Sequence, residues 1–152
     1  MASAQAAVLN AVREPLSVEP LAVRDPRDGE VLVRLGASGV CHSDLHAITG
    51  DLPMPLPCVL GHEGAGVVEK VGAGVQRVKP KDHVVLNWVP FCGSCWYGSA
   101  NMARDVPRLI DLYRAGKLKL DELITRRYKI AQVSDAFAAM EKGEVARGVI
   151  TF

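Results

Sequence analysis

Apolar positions fall in short runs broken by proline and glycine in the first part of the chain, and at helical spacing later on. Residues 6–12, 16–23 and 30–35 are rich in Val and Leu and are punctuated by Pro15, Pro20 and the stretch Asp25, Pro26, Arg27, Asp28, Gly29. Such runs read as strands of a small antiparallel structure. Two more, 64–71 and 83–89, are β-branched, and Gly64, Gly66, Gly72 and Gly74 suit bulges or tight corners better than helix. Between them Pro53, Pro55 and Pro57 exclude helix and central strand, which predicts an extended loop running into 58–60.

After Tyr97 the period changes. Within 105–115, Val106, Leu109, Ile110, Leu112 and Tyr113 recur at helical spacing, with Pro107 expected in the first turn and Gly116 as the stop. A second helix is predicted over 134–142, with Ser134 as N-cap and Ala136, Phe137 and Met140 facing inward. Residues 123–128 and 148–152 read as further strands. The fold class is therefore mainly β with a few helices (α+β), in a chain of 152 residues that has room for one domain core and not two.

A net charge of +1 gives no electrostatic case for nucleic acid or an anionic membrane as partner. No apolar run approaches the ~20 residues of a membrane span, and residues 1–7 lack the layered build of a signal peptide, so a cytoplasmic location is expected. Four cysteines in such a chain point to metal chemistry or buried thiols rather than to a disulfide framework.

Two polar clusters interrupt this apolar sequence. One runs from Cys41 through His42, Ser43 and Asp44 to His46, and the other is His62 with Glu63. A thiol, an imidazole and a carboxylate are donors that Zn²⁺ accepts, although a zinc site needs three or four of them. On residue type alone, His42 and His46 also suit surface or capping positions, Ser43 and Asp44 a turn or helix cap, and Trp88 core or rim packing. Cys58 reads as a buried, inert thiol and a minor rival ligand, and His83 as structural.

The order and spacing of Gly36, Gly39, Cys41, His42, Ser43, Asp44 and His46, then Pro57, Gly61, His62, Glu63, Gly64, Gly66 and Glu69, then Asp82, His83 and Val84, resemble the zinc-dependent medium-chain alcohol dehydrogenases. The stretch after Gly98, with Asp105, Val106, Pro107, Arg108, Leu109 and Gly116, is similar to the extreme C-terminus of the same enzymes. The resemblance implies a catalytic domain with a GroES-like, partly open β-barrel. It would be built from residues 1–97 joined to 98–152, with no Rossmann sheet between them. No Gly-x-Gly-x-x-Gly follows a predicted strand, the nearest candidate being Gly64 and Gly66 with Glu69 in the third place. The NAD(P) of the parent family therefore has no site encoded here.

Carried over residue by residue, the resemblance makes Cys41 and His62 ligands of a catalytic Zn²⁺ and Glu63 an acid that can approach it. Asp44 becomes the carboxylate that orients the ligand histidine. Ser43 and His46 become the pair that passes the alcohol proton to solvent. His42 takes the cationic position facing the cofactor pyrophosphate, and Leu52 and Trp88 line the substrate pocket. Three departures matter. Cys92 and Cys95 begin a four-cysteine structural zinc lobe whose third place is Gly98, which leaves a degenerate half-site. The family's third catalytic ligand lies in the stretch not present, and Lys81 stands where the family usually has Gly.

Two function classes follow from the resemblance. One is a zinc- and NAD(P)-dependent alcohol or aldehyde dehydrogenase domain, acting on a small alcohol or aldehyde and weakly active or inactive alone. The other is a non-catalytic, zinc-binding GroES-like module. The surface near Leu52, Trp88 and the 106–113 helix, covered by the Rossmann domain in the family, is expected to be open here and to favour a homo-oligomer.

Overall fold

A computed structural model of the chain describes residues 2–89 and 100–152. Strands β1 (Ala2–Leu9), β2 (Ser17–Val23) and β3 (Val31–Gly39) lead into helix α1 (His42–Thr49). Strands β4 (Cys58–Val59), β5 (Gly64–Val71) and β6 (His83–Val85) follow, then helix α2 (Met102–Arg114), β7 (Arg126–Lys129), helix α3 (Val133–Glu141) and β8 (Gly148–Thr151).

Among the described residues the strands make two sheets that do not close into a barrel, one ordered β2-β1-β4 and the other β6-β5-β3-β8-β7. All pairings are antiparallel except β7 with β8. The terminal strand β8 therefore lies inside the larger sheet, between β3 and β7, and ties the end of the chain to its first half. The core joins both halves too, with Leu9, Leu16, Val40 and Ala47 packed with Tyr128, Val133, Ala136, Phe137 and Ile150. Phe137 and Ala136 project from the inward face of α3, as their spacing predicts.

Several expected boundaries shift. The first strand is β1, four residues earlier than the Val-containing run suggested, because its Ala-rich start pairs along its length with β2. The run 83–89 contributes only its first three residues to β6, and 123–128 opens with a tight single turn at Asp121–Leu123 before β7.

Helix α2 begins at Met102, so Pro107 is in its interior and not in its first turn. Reciprocal capping sets that start: the Asn101 side chain accepts from Arg104 N at 3.3 Å while Asp105 accepts from Asn101 N at 2.8 Å. Ser134 is not an N-cap. A single turn at Ile130–Gln132 runs directly into α3, and the Ser134 hydroxyl donates to Leu16 O at 3.4 Å. Lys81 has φ 78°, a left-handed conformation that favours glycine.

Helix α2 buries none of its residues, and Leu109, Ile110, Leu112 and Tyr113 stay exposed, as do Leu52 and Trp88. The apolar surface expected beside those residues is therefore open.

Candidate metal centre

Helix α1 and the start of β5 bring the two polar clusters together. Cys41 stands just before α1 in an extended conformation (φ −117°, ψ 147°), and Gly50 ends the helix with φ 88°. His62 and Glu63 immediately precede β5, whose pairing with β3 holds them near the same end of the sheet. One donor atom each from Cys41, His62 and Glu63 lie within 4.8 Å of one another, the span of a single ion's ligands.

Asp44 is the buried charge of the site, at 5 % exposure on the inward face of α1. Its Oδ1 accepts from Gly61 N at 3.1 Å and lies 3.3 Å from His62 Nδ1. With Nδ1 held this way, the ring keeps Nε2 for a metal.

Burial pushes the Asp44 carboxyl above its ordinary value, while the His62 charge and the Gly61 amide pull it down. The folded state thus holds that proton more tightly than the unfolded chain does. The resulting stabilisation is complete below the ordinary carboxylate range and is lost as pH rises through the raised value. In metal-free protein, Asp44→Asn should remove this dependence. Melting temperatures compared from acid to neutral pH should move in favour of the variant as pH rises, and a constant difference would contradict the assignment.

Glu63 has a partner that sequence reasoning missed. Arg147 Nη1 donates to Glu63 Oε2 at 2.9 Å and to Val40 O at 3.4 Å. Arg147 sits just before β8, so the pairing of β8 with β3 carries it to Glu63. The sequence signals nothing but a charge. Gly39 leaves the space that Glu63 occupies, since a Cβ there would overlap the carboxylate oxygen and stand 3.2 Å from its carbon.

The remaining predicted residues surround this centre unevenly. Ser43 Oγ is 3.7 Å from the Cys41 thiol, and both line a cavity of about 340 Å³ with His62, Glu63, Leu86 and Trp88. The Trp88 ring meets His62 edge-on, with centroids 6.0 Å apart. His42 and His46 lie on the exposed side of α1 with ring centroids 6.0 Å apart, and His46 Nδ1 is 3.5 Å from Asp51 Oδ2. Leu52 is exposed beyond the end of α1 and is not part of this cavity's lining. Cys58 is half-buried in β4, packed against the core, and outside the donor cluster. Cys92 and Cys95 lie outside the described residues.

A family profile described as "Alcohol dehydrogenase GroES-like domain" matches residues 27–116. The chain is 54 % identical over 93 residues to an NDMA-dependent alcohol dehydrogenase of Amycolatopsis methanolica, covering 61 % of this chain and 25 % of that protein. It is 53 % identical over 98 residues to a geraniol dehydrogenase of Castellaniella defragrans, covering 63 % and 26 %. Among solved structures, an alcohol dehydrogenase zinc-binding domain protein of Burkholderia ambifaria is similar, with 53 % identity and a TM-score of 0.55, covering 60 % of this chain and 24 % of that one. The chain thus spans about a quarter of the length of these relatives. Among the described residues no helix is long and apolar enough to cross a membrane.

Proposed function

Because this chain belongs to the alcohol dehydrogenase GroES-like domain family, we propose that it is the zinc-binding catalytic part of a dehydrogenase that interconverts small alcohols and aldehydes with NAD(P). The observation that carries the reading is the convergence of Cys41, His62 and Glu63 on one point. Their chemistry fits Zn²⁺: a thiol, an imidazole whose tautomer Asp44 fixes, and a carboxylate for which Gly39 leaves room. When bound, zinc supplies a Lewis acid for the alcohol or aldehyde oxygen.

The chain's own residues do the rest. Ser43, beside the thiol, would take up the proton of the substrate hydroxyl while releasing its own, and His46, exposed on the same helix, would carry the released proton to solvent. Asp51 and Thr49 anchor that end of α1, with Thr49 Oγ1 donating to Asp51 Oδ2 at 2.7 Å. His42 offers a cation to the cofactor pyrophosphate, and Trp88 walls the substrate. Arg147 balances the charge of Glu63 and competes with the metal for it. The described sheets carry no Rossmann motif, so hydride transfer needs a nicotinamide held by another domain, and the chain alone is weakly active or inactive. A cytoplasmic location belongs to the same reading.

Zinc analysis paired with an NAD(P)H turnover assay on the purified chain tests this. About one zinc per chain with little or no turnover is expected. A chain that takes up no zinc would refute the proposal.

A second reading, a non-catalytic zinc-binding module that pairs with a copy of itself, is favoured by the exposed apolar side of α2. Zinc without turnover, together with a dimer in sedimentation analysis, would select it.

We further propose that residues 1–152 are one domain in which the segment before Tyr97 and the segment after Gly98 fold together. The place of β8 between β3 and β7 supports this. Thermal unfolding should show one transition. Limited proteolysis that freed a stable fragment ending near Tyr97 would contradict it.

A further inference from the structure

Helix α1 carries different chemistry on its two faces. Asp44 and Ala47 are its buried residues, whereas His42 and His46 lie on the exposed side. The two histidines are four residues apart, so one helical turn sets their side chains on the same strip of surface. Their ring centroids are 6.0 Å apart, with the ring planes tilted by 55°. Two imidazoles bound to one ion through nitrogens at about 2.0–2.1 Å have centroids roughly 5–6 Å apart. Small rotations of these exposed rings therefore bring two nitrogens onto one ion.

His46 is also oriented as a ligand is. Its Nδ1 lies 3.5 Å from Asp51 Oδ2, and Thr49 Oγ1 holds that carboxylate by donating to the same oxygen at 2.7 Å. The Thr49 hydroxyl and then His46 keep the Asp51 carboxyl below its ordinary range. A carboxylate at Nδ1 fixes the tautomer and leaves the Nε2 lone pair for a metal, which is the arrangement of Asp44 and His62 repeated on the outer face. Neither His42 nor His46 lines the cavity that Cys41, His62 and Glu63 share, so an ion on this face is separate from one at the first centre.

We propose that His42 and His46 form a second, surface metal site that takes a divalent transition ion such as Cu²⁺, Ni²⁺ or Zn²⁺, with water completing its coordination. Two imidazoles without an oxygen ligand do not suit Mg²⁺ or Ca²⁺. With two protein donors against three, the site fills after the first centre does. In the dehydrogenase reading, where His46 carries a proton outward and His42 faces the cofactor pyrophosphate, an ion here takes up both imidazoles and inhibits. The metal site itself does not depend on that reading.

Ni²⁺, which thiols do not reduce, is the probe, titrated by calorimetry into the zinc-loaded full chain without a histidine tag. About one Ni²⁺ per chain should bind while the zinc is retained, and excess Mg²⁺ should not compete. His42→Asn and His46→Asn should each weaken nickel binding roughly tenfold or more, because each leaves a single imidazole. Asp51→Ala should weaken it about tenfold by freeing the His46 ring. All three positions are exposed, so the variants keep the core intact. Cys41→Ser should lose zinc and keep nickel, which separates failure of this proposal from failure of the zinc assignment. Nickel binding undiminished in any of the three surface variants, lost in Cys41→Ser, or matched one for one by release of zinc would overturn it.

Discussion

Replacing Cys41 by serine should lower the zinc content of the purified chain from about one per molecule to near zero, a loss of affinity of more than ~100-fold. The reason is the donor count. Three protein donors converge; the Glu63 carboxylate is shared with Arg147, and Asp44 engages only Nδ1 of His62, so Cys41 Sγ and His62 Nε2 are the donors on which zinc binding should depend most. Serine keeps the size and the helix start but replaces a thiolate by a hydroxyl that stays protonated at neutral pH and is a poor zinc ligand. Cys92→Ser should leave zinc content unchanged, because a half-site with two of four thiolates holds zinc weakly. Metal analysis after gel filtration decides the matter. Zinc that survives Cys41→Ser and vanishes with Cys92→Ser would reverse the assignment.

Much of this centre was readable in the sequence because its chemistry is local. Cys41 to His46 and His62 to Glu63 are each contiguous, and the glycines and prolines around them mark the turns that present them. The helix carrying the first cluster was harder to see. In α1 the inward positions are Asp44 and Ala47, and a carboxylate at a core-facing position breaks the apolar period by which an amphipathic helix is recognised. Its burial makes sense only once Gly61 and His62, seventeen and eighteen residues away, are known to satisfy it. Arg147 was hidden for the same reason, since a contact across 84 residues depends on strand order. The helix starts failed differently. Asn101 with Asp105 and the turn before Val133 are side-chain and backbone details that compete with the Pro107 and Ser134 signals and win by a few hydrogen bonds.

The other large effect should come from Gly66→Ala, which is expected to cost about 3 kcal/mol or more of stability and to impair metal binding with it. Gly66 lies in β5 opposite Leu35, beside the irregularity in β3 between Leu35 and Ala37. A methyl group there would overlap the Arg34 carbonyl oxygen and stand 2.9 Å from Arg34 C and Leu35 Cα. These are backbone atoms, so no rotamer change relieves the clash. The strands themselves must separate, and that breaks the longest pairing of the larger sheet. Separation also moves Gly64, next to His62 and Glu63, and the end of β3 that leads to Cys41, so the donors lose their common point. Gly36→Ala is the matched control in the same pair of strands. A methyl group at Gly36 meets nothing nearer than Ala65 O at 3.9 Å, so its cost should be below about 1 kcal/mol and its zinc content normal. Urea unfolding of the two variants, read beside their zinc content, checks both halves of the argument. Equal stability of Gly66→Ala and Gly36→Ala would show that β3 and β5 are not held at this separation, and the account of how the fold aligns Cys41 with His62 and Glu63 would fall with it.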